Sequence, residues 1–249
     1  HLFSFGNLYS PRLTGDLTIR NLEIPEIQTK MRHGILNLNN RNLNISLSDI
    51  DANGSDFRIT TQTNFDLLQT MTLSNVRVFS RMLDVDKLMI VSNNLMKSLP
   101  ATPASSTASK TTTNIPVTVQ RGIIHFAKIK SGNIVADNTT GRISLANNVL
   151  HLDRLRTHSM GGSVDGNIAM NLATTDLAVK VQGKNFNVEK ALLELANMKD
   201  TLSGTMNFST NITLKGLTME EQMKTLKGAV DFNVKDGQLG PFGKFENFL

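Results

Sequence analysis

The sequence predicts a mainly β protein built on an antiparallel sheet, and three observations carry that expectation. Apolar and polar residues alternate at period two in run after run, as in Ile168, Met170 and Leu172 or in Leu177, Val179 and Val181, which marks strands with one buried and one wet face. Turn residues separate the runs, notably Asn39-Asn40 and Asn53-Gly54. Helical spacing is confined to short interruptions.

Residues 1–97 read as a first β-rich segment. Leu13-Thr14-Gly15-Asp16-Leu17-Thr18-Ile19 opens it with a Gly-x-apolar-x-apolar unit. Ile35-Leu36-Asn37-Leu38 and Leu43-Asn44-Ile45-Ser46-Leu47 are neighbouring strands around the Asn39-Asn40 turn. Phe57–Thr61, Met71–Leu73 and Val76–Phe79 continue the set. A short helix then runs over about 86–98, with Leu88, Val91 and Leu95 on one side.

Residues 98–114 contain almost no bulky apolar side chain, so ordering them brings little burial to offset the entropy lost. They read as a flexible linker or a loop outside the fold. The linker either separates two units or interrupts one continuous sheet.

Residues 115–249 form the second β-rich region. Pro116 suggests that the strand it opens lies at a sheet edge. Ile143 and Leu145, Leu150 and Leu152, Ile168 and Met170, Leu177 and Val179, Met206 and Phe208, Ile212 and Leu214, and Val230 and Phe232 each sit two apart, so each pair shares a face. Two short helices interrupt the strands. In the first, about 188–197, Asn187 is a natural N-cap and Val188, Ala191, Leu192, Leu195 and Ala196 form one stripe. In the second, about 218–227, Thr218 and Glu221 form a capping box, with Met219, Met223 and Leu226 as the stripe. Helices this short need the sheet to bury their apolar side. Glycine recurs at Gly166, Gly204 and Gly228, each followed by apolar residues two apart, and reads as a strand start.

Composition narrows the functional classes. The chain has 249 residues and no Cys, which removes disulfides, thiolate nucleophiles and Cys-ligated metals. With no Trp and one Tyr, apolar surface must come from Leu, Ile, Val, Met and Phe. The net charge of +5 comes from scattered basic residues that lack interleaved aromatics, which argues against nucleic acid and suits an anionic lipid surface. No apolar run reaches the roughly 18 to 20 residues of a spanning helix. Lacking an initiator Met and stopping at Asn247-Phe248-Leu249, the chain reads as an excised piece of a longer protein.

The chemical candidates have plain structural readings. His151, Asp153 and His158 lie close in sequence, but Leu150, Leu152 and Leu155 claim the buried positions and leave His151 and Asp153 on the wet face. Gly161-Gly162-Ser163 precedes no helix and no Gly-Lys-Ser/Thr occurs, so a bulge or tight bend is favoured over a phosphate cradle. Glu189, Glu194, Glu220 and Glu221 read as solvated helix faces. No catalytic residue, metal ligand or cofactor site is assigned, and the chain does not read as an enzyme.

From Met160 onward the chain resembles the AsmA family of bacterial envelope proteins in its C-terminal region. The likeness rests on Met160-Gly161-Gly162-Ser163-Val164-Asp165-Gly166, Leu202-Ser203-Gly204, Leu226-Lys227-Gly228, Val234-Lys235-Asp236-Gly237 and Gly243-Lys244-Phe245-Glu246. The family often has an aromatic where Met160 stands. The resemblance implies a wider likeness to chorein-type bridge proteins, with strands building a strongly curved, taco-like groove. It also implies a periplasmic portion anchored to the inner membrane by an upstream helix, which helps carry phospholipid to the outer membrane without a cofactor.

The oily face then has two readings. It either packs against a second sheet or the helices as an ordinary core, or stays open for phospholipid acyl chains. The open reading gives a lining of Ile143, Leu145, Ile168, Met170, Leu177, Val179, Met206, Phe208, Ile212, Leu214, Val230 and Phe232, subject to reversal wherever a bulge shifts the alternation. The alternative function is a non-catalytic assembly or scaffold factor whose strand edges pair with other envelope proteins.

Overall fold

The computed structural model describes residues 2–7, 10–40, 42–64, 71–90, 117–216 and 219–240. Among them, fourteen strands form one sheet. The first half supplies β1 (Leu2–Asn7), β2 (Ser10–Ile24), β3 (Thr29–Asn39), β4 (Asn42–Ala52), β5 (Ser55–Asn64), β6 (Met71–Ser80) and β7 (Leu83–Asp84). The second half supplies β8 (Val117–Ser131), β9 (Ile134–Ala146), β10 (Val149–Ser159), β11 (Gly162–Asn171), β12 (Leu177–Asn187), β13 (Leu202–Leu214) and β14 (Lys227–Leu239). Helical residues 85–90 (α1) follow β7. Helix α2 (Val188–Ala196) lies between β12 and β13, and α3 (Met219–Thr225) between β13 and β14.

Strand order follows chain order, and neighbours are antiparallel with one local exception. At the middle of the sheet β6 pairs in parallel with β8, and β7 prolongs that contact at Ile129 and Lys130. Parallel neighbours cannot be joined by a tight turn and need a long crossover, and the residues between β7 and β8 provide it. The sheet therefore runs unbroken from the first half into the second. Strands β1 and β14 occupy its two ends and do not meet, so it is open and not closed into a barrel. The expected linker 98–114 and the last part of the expected helix 86–98 lie outside the described residues.

The hairpin turns have the chemistry that their sequence announces. Asn53-Gly54, Asn147-Asn148 and Met160-Gly161 each place both central residues at positive φ, the mirror-image type I turn whose twist matches the flanking strands. The Met160-Gly161 turn directly links Ser159 to its partner Gly162, so of the Gly pair Gly161 sits in a tight bend, one of the two expected roles, and Gly162 begins β11.

A second set of left-handed residues lies inside the strands. Asn21, Asp49, Asn75, Arg121, Asn138, Arg154, Asn185 and Asp236 all have φ between 51° and 58°. Around Asp49, Asn75, Arg121, Arg154, Asn185 and Asp236 the pairing register shifts. These are β-bulges, which bend the strand and increase its twist. Six of the eight residues are Asn or Asp, which tolerate the left-handed region best among residues with a Cβ. Neighbouring amides hold two of them: Asn167 Oδ1 accepts from Arg154 N at 2.9 Å, and Asn207 Oδ1 accepts from Asn185 N at 2.8 Å.

The bulges account for runs that look separate in the sequence. Met71–Leu73 and Val76–Phe79 are one strand, β6, bulged at Asn75, and Val117–Val119 and Ile123–Ile129 are one strand, β8, bulged at Arg121. Three other expectations need correcting. Gly15 and Gly166 lie inside β2 and β11 and do not start them; Gly166 faces Val181 beside the Arg154 bulge, where a Cβ would come within 2.5 Å of the Val181 side chain. The strand after Pro116 is no edge, since β8 lies between β6 and β9; a strand interior to a sheet can still be preceded by proline when pairing begins after it.

The third correction concerns the helices. Asn187 caps α2 as expected, its Oδ1 accepting from Lys190 N at 2.8 Å. Val188 and Ala191 are buried, but Leu195 is 63% exposed, although α2 packs on β12 and β13. Met223 on α3 and Leu226 just after it are 67% and 45% exposed, so the sheet does not bury these two residues of the expected stripe. Thr218 lies outside the described residues. Among the glutamates, Glu189, Glu220 and Glu221 are exposed, while Glu194 is half-buried with Oε2 lacking a partner.

Where the chain leaves β6 for the crossover, Asp56 pins it. One carboxylate oxygen accepts from Met82 N at 2.7 Å, Arg81 N at 2.9 Å and Ser80 Oγ at 3.2 Å, and the other accepts from Arg81 Nε at 2.7 Å. Partial burial pushes the Asp56 carboxyl up, but the Arg81 side chain and the two backbone N–H donors outweigh it and hold the group below its ordinary value of 3.8. Farther along, Asp86 accepts from Gly132 N at 2.7 Å and from Ser131 Oγ at 3.2 Å. Substituting Asp56→Ala should cost about 1–3 kcal/mol at neutral pH, read from urea melts. Because the folded carboxyl is depressed, the wild-type contribution is complete above the ordinary carboxyl value and is lost as pH falls through the folded one. The variant should lack that part of the acid dependence.

Candidate functional site

Register decides which side chains share a face, since directly paired residues point the same way. From β9 to β10, Leu145 opposes Leu150 and Ile143 opposes Leu152. Leu152 opposes Ile168 and Leu150 opposes Met170 on β11, which in turn oppose Val179 and Leu177 on β12. Next come Ile212 and Leu214, then Phe208 opposite Gly183 and Met206 opposite Phe186. Phe232 faces Phe208, and Val230 faces Thr210. The pairing thus puts all twelve residues of the expected lining on one face of the sheet.

The same face continues through the first half. Leu145 opposes Val119, which lies beside Leu73 on β6. From there the row runs through Thr63 and Leu43 to Leu38 and Gly15. A parallel row runs from Ile45 through Leu36 to Leu17. Sequence reasoning placed these residues in strands but did not extend the lining to them; the alternation Leu36, Leu38 and Leu43, Ile45, Leu47 carried the signal. With strands about 4.8 Å apart, the twelve neighbours from β2 to β14 make a largely apolar strip on the order of 50 Å long.

No second sheet covers this strip among the described residues. Strands pack with their sheet neighbours, and of the helices α2 and α3 pack on β12 and β13. Exposure follows from that arrangement. Leu145 is buried; Val230 and Phe232 on the last strand are 59% and 71% exposed; the other nine residues are half-buried. Such side chains touch neighbours within the sheet and keep their upper surface open.

The strip is smoothed where glycines receive their neighbours' side chains. A Cβ on Gly183 would lie 2.1 Å from the Phe208 ring, and one on Gly122 would lie 2.3 Å from the Ile143 side chain. Phe208 also meets Phe186 edge-on, with ring centroids 5.1 Å apart. Phe186, Val188 and Ala191 make a small local core there, where α2 closes one end of β12. Beside it Gly183, Phe208 and Phe232 contribute to an open cleft of about 560 Å³.

The opposite face is polar. His151 and Asp153 lie there with Lys180 and Asn211 around a hollow of about 140 Å³, away from Leu150 and Leu152 as the alternation predicts. His158 is exposed. His33 pairs with Asp49 at 3.1 Å, and His125 meets Phe79 edge-on at 5.5 Å. No group of His, Asp and Glu able to hold a metal occurs among the described residues, and no described helix is long and apolar enough to cross a membrane.

Comparison with known proteins matches the chain to a family model. The model described as AsmA family covers residues 7–243. Nothing matches among curated proteins or solved structures.

A Gly183→Val substitution should force the Phe208 ring off its seat, costing about 1–3 kcal/mol by overpacking. Denaturant melts measure the loss; an unchanged midpoint would mean that Phe208 does not rest on Gly183.

Proposed function

Since the chain belongs to the AsmA family, we propose that its apolar strip shields or conducts phospholipid acyl chains between the inner and outer membranes, as the periplasmic part of an inner-membrane-anchored protein. Membership associates the chain with the bacterial envelope and with a role of lipid-transfer type. The observation that supports the finer reading is the half-buried apolar face continuing from strand to strand without a second layer among the described residues.

The chemistry required is modest. An acyl chain leaving water gains about 0.8 kcal/mol for each CH₂ fully buried, and a chain lying on an open strip is buried on one side. That gain is nearly the same at each strand, so a lipid can move along the strip without a large barrier between positions. In this reading the protein is not an enzyme and needs no cofactor, and the polar face stays in water.

The test is lipid extraction and native mass spectrometry on gently purified protein, beside the double variant Met206→Asp with Phe208→Thr. Phospholipid should accompany the wild type and be lost from a variant that still shows a cooperative β-sheet melt. A wild type that carries no lipid, even after incubation with phospholipid vesicles, would overturn the reading.

A further inference from the structure

Two isoleucines stand on the polar face of the sheet. Ile35 on β3 and Ile123 on β8 alternate with strip residues, so they point away from the strip, and they are 46% and 49% exposed. Pairing puts both in one row. Ile35 opposes Ser46, Ser46 opposes Thr60, Thr60 opposes Arg77, and Arg77 opposes Ile123. A single exposed aliphatic residue needs no explanation; here the polar side chains between the two isoleucines belong to a cavity.

Beside this row runs a second, made of amides. Asn37 opposes Asn44, and Asn44 opposes Gln62. Asn75, at the bulge of β6, closes the row by donating from Nδ2 to Gln62 Oε1 at 2.9 Å. These four amides, with Ser46, Thr60 and Arg77 of the first row, line a hollow of about 480 Å³ in the polar face. That volume lies within the range of small-molecule sites. At one end Asn37 is held by the carboxylate of Asp16. The side chains of Asn44, Ser46, Thr60 and Arg77 have no partner among the described residues, so their hydrogen-bonding groups face the hollow unspent.

The lining selects a class of ligand. Amides and hydroxyls both donate and accept, which matches a ligand rich in hydroxyl groups. The guanidinium of Arg77 offers a planar fork to a carboxylate. Ile35 and Ile123 at the ends of their row give apolar contact to the C–H face of a sugar ring. The charge is also directional. Arg142, the next cation beyond Ile123, opposes Asp153, and Asp16 lies four strand spacings from Arg77, about 19 Å away. An anionic group is therefore drawn to the Arg77 end and away from the Asp16 end.

We propose that this hollow binds an acidic saccharide, with a carboxylate on Arg77 and hydroxyl groups along Asn44, Gln62, Ser46 and Thr60. The site is on the opposite face from the apolar strip, and the inference does not depend on what the strip carries.

The test is titration calorimetry of the full chain at low ionic strength with hexagalacturonate as the probe and maltohexaose as its uncharged counterpart. Hexagalacturonate should bind at least tenfold more tightly than maltohexaose. Arg77→Gln, whose fold is checked by its melt, should weaken hexagalacturonate about tenfold or more and leave maltohexaose unchanged. Asn44→Ala should weaken both sugars. Lys180→Gln removes one positive charge elsewhere on the same face and should change neither. A wild type that does not bind hexagalacturonate at millimolar concentration overturns the proposal. So does equal binding of maltohexaose, or a loss in Lys180→Gln as large as in Arg77→Gln, which would mean attraction to charge without a site.

Discussion

A sheet without a covering layer must hold itself together within its own plane, and the rest of this structure follows from that constraint. In a two-layer fold, apolar side chains gain most of their burial from the opposing layer. Here the strip residues gain it from the strands on either side, through pairs such as Ile143 with Leu152, Ile168 with Val179 and Phe208 with Phe232. Glycines such as Gly122 and Gly183 let neighbouring side chains settle into the plane. Stability is spread along the strand ladders, and the surface that a second layer would have covered stays available.

A flat sheet of this width would be a hazard, since a plane of paired strands with an oily face invites stacking. The left-handed residues inside the strands counter that by adding bend and twist. Each bulge also reverses the phase of its strand, yet the apolar face is preserved. On β12 the apolar positions run Leu177, Val179 and Val181 to Gly183, skip Asn185 and resume at Phe186. The sequence steps by three at the points where the geometry does, so the chain encodes the bend and the face together.

The middle of the sheet is a different kind of join. At β4–β5, β8–β9, β9–β10 and β10–β11 a two-residue turn links neighbours, and local chemistry suffices. Between β6 and β8 the strands are parallel, and closing the long connection costs entropy before any pairing is gained. The chain spends polar contacts there, with Asp56 gathering four donors at the exit from β6 and Asp86 fastening the start of the crossover to the β8–β9 turn.

The sequence by itself determined the strand content, the Asn53-Gly54 turn, the tight bend at Gly161, the Asn187 cap and the shared face of each strip pair within its own strand. All of these rest on interactions within a few residues, or on a period of two that holds whichever strand lies alongside. What only the tertiary structure decided is non-local. Alternation marks Leu177 and Val179 as apolar-facing but is silent on whether anything packs over them, because an open and a covered face have the same pattern. The break between Leu73 and Val76 reads equally as a strand end or a bulge, and pairing of Arg77 and Val78 with β5 and β8 settles it. That the strand after Pro116 is interior, that Met223 on α3 and Leu226 beyond it stay exposed, and that the two halves share one sheet depend on partners far away in the chain. The physical reason is the same in each case: a local pattern specifies what a face needs, and only the assembled neighbours determine whether it is met.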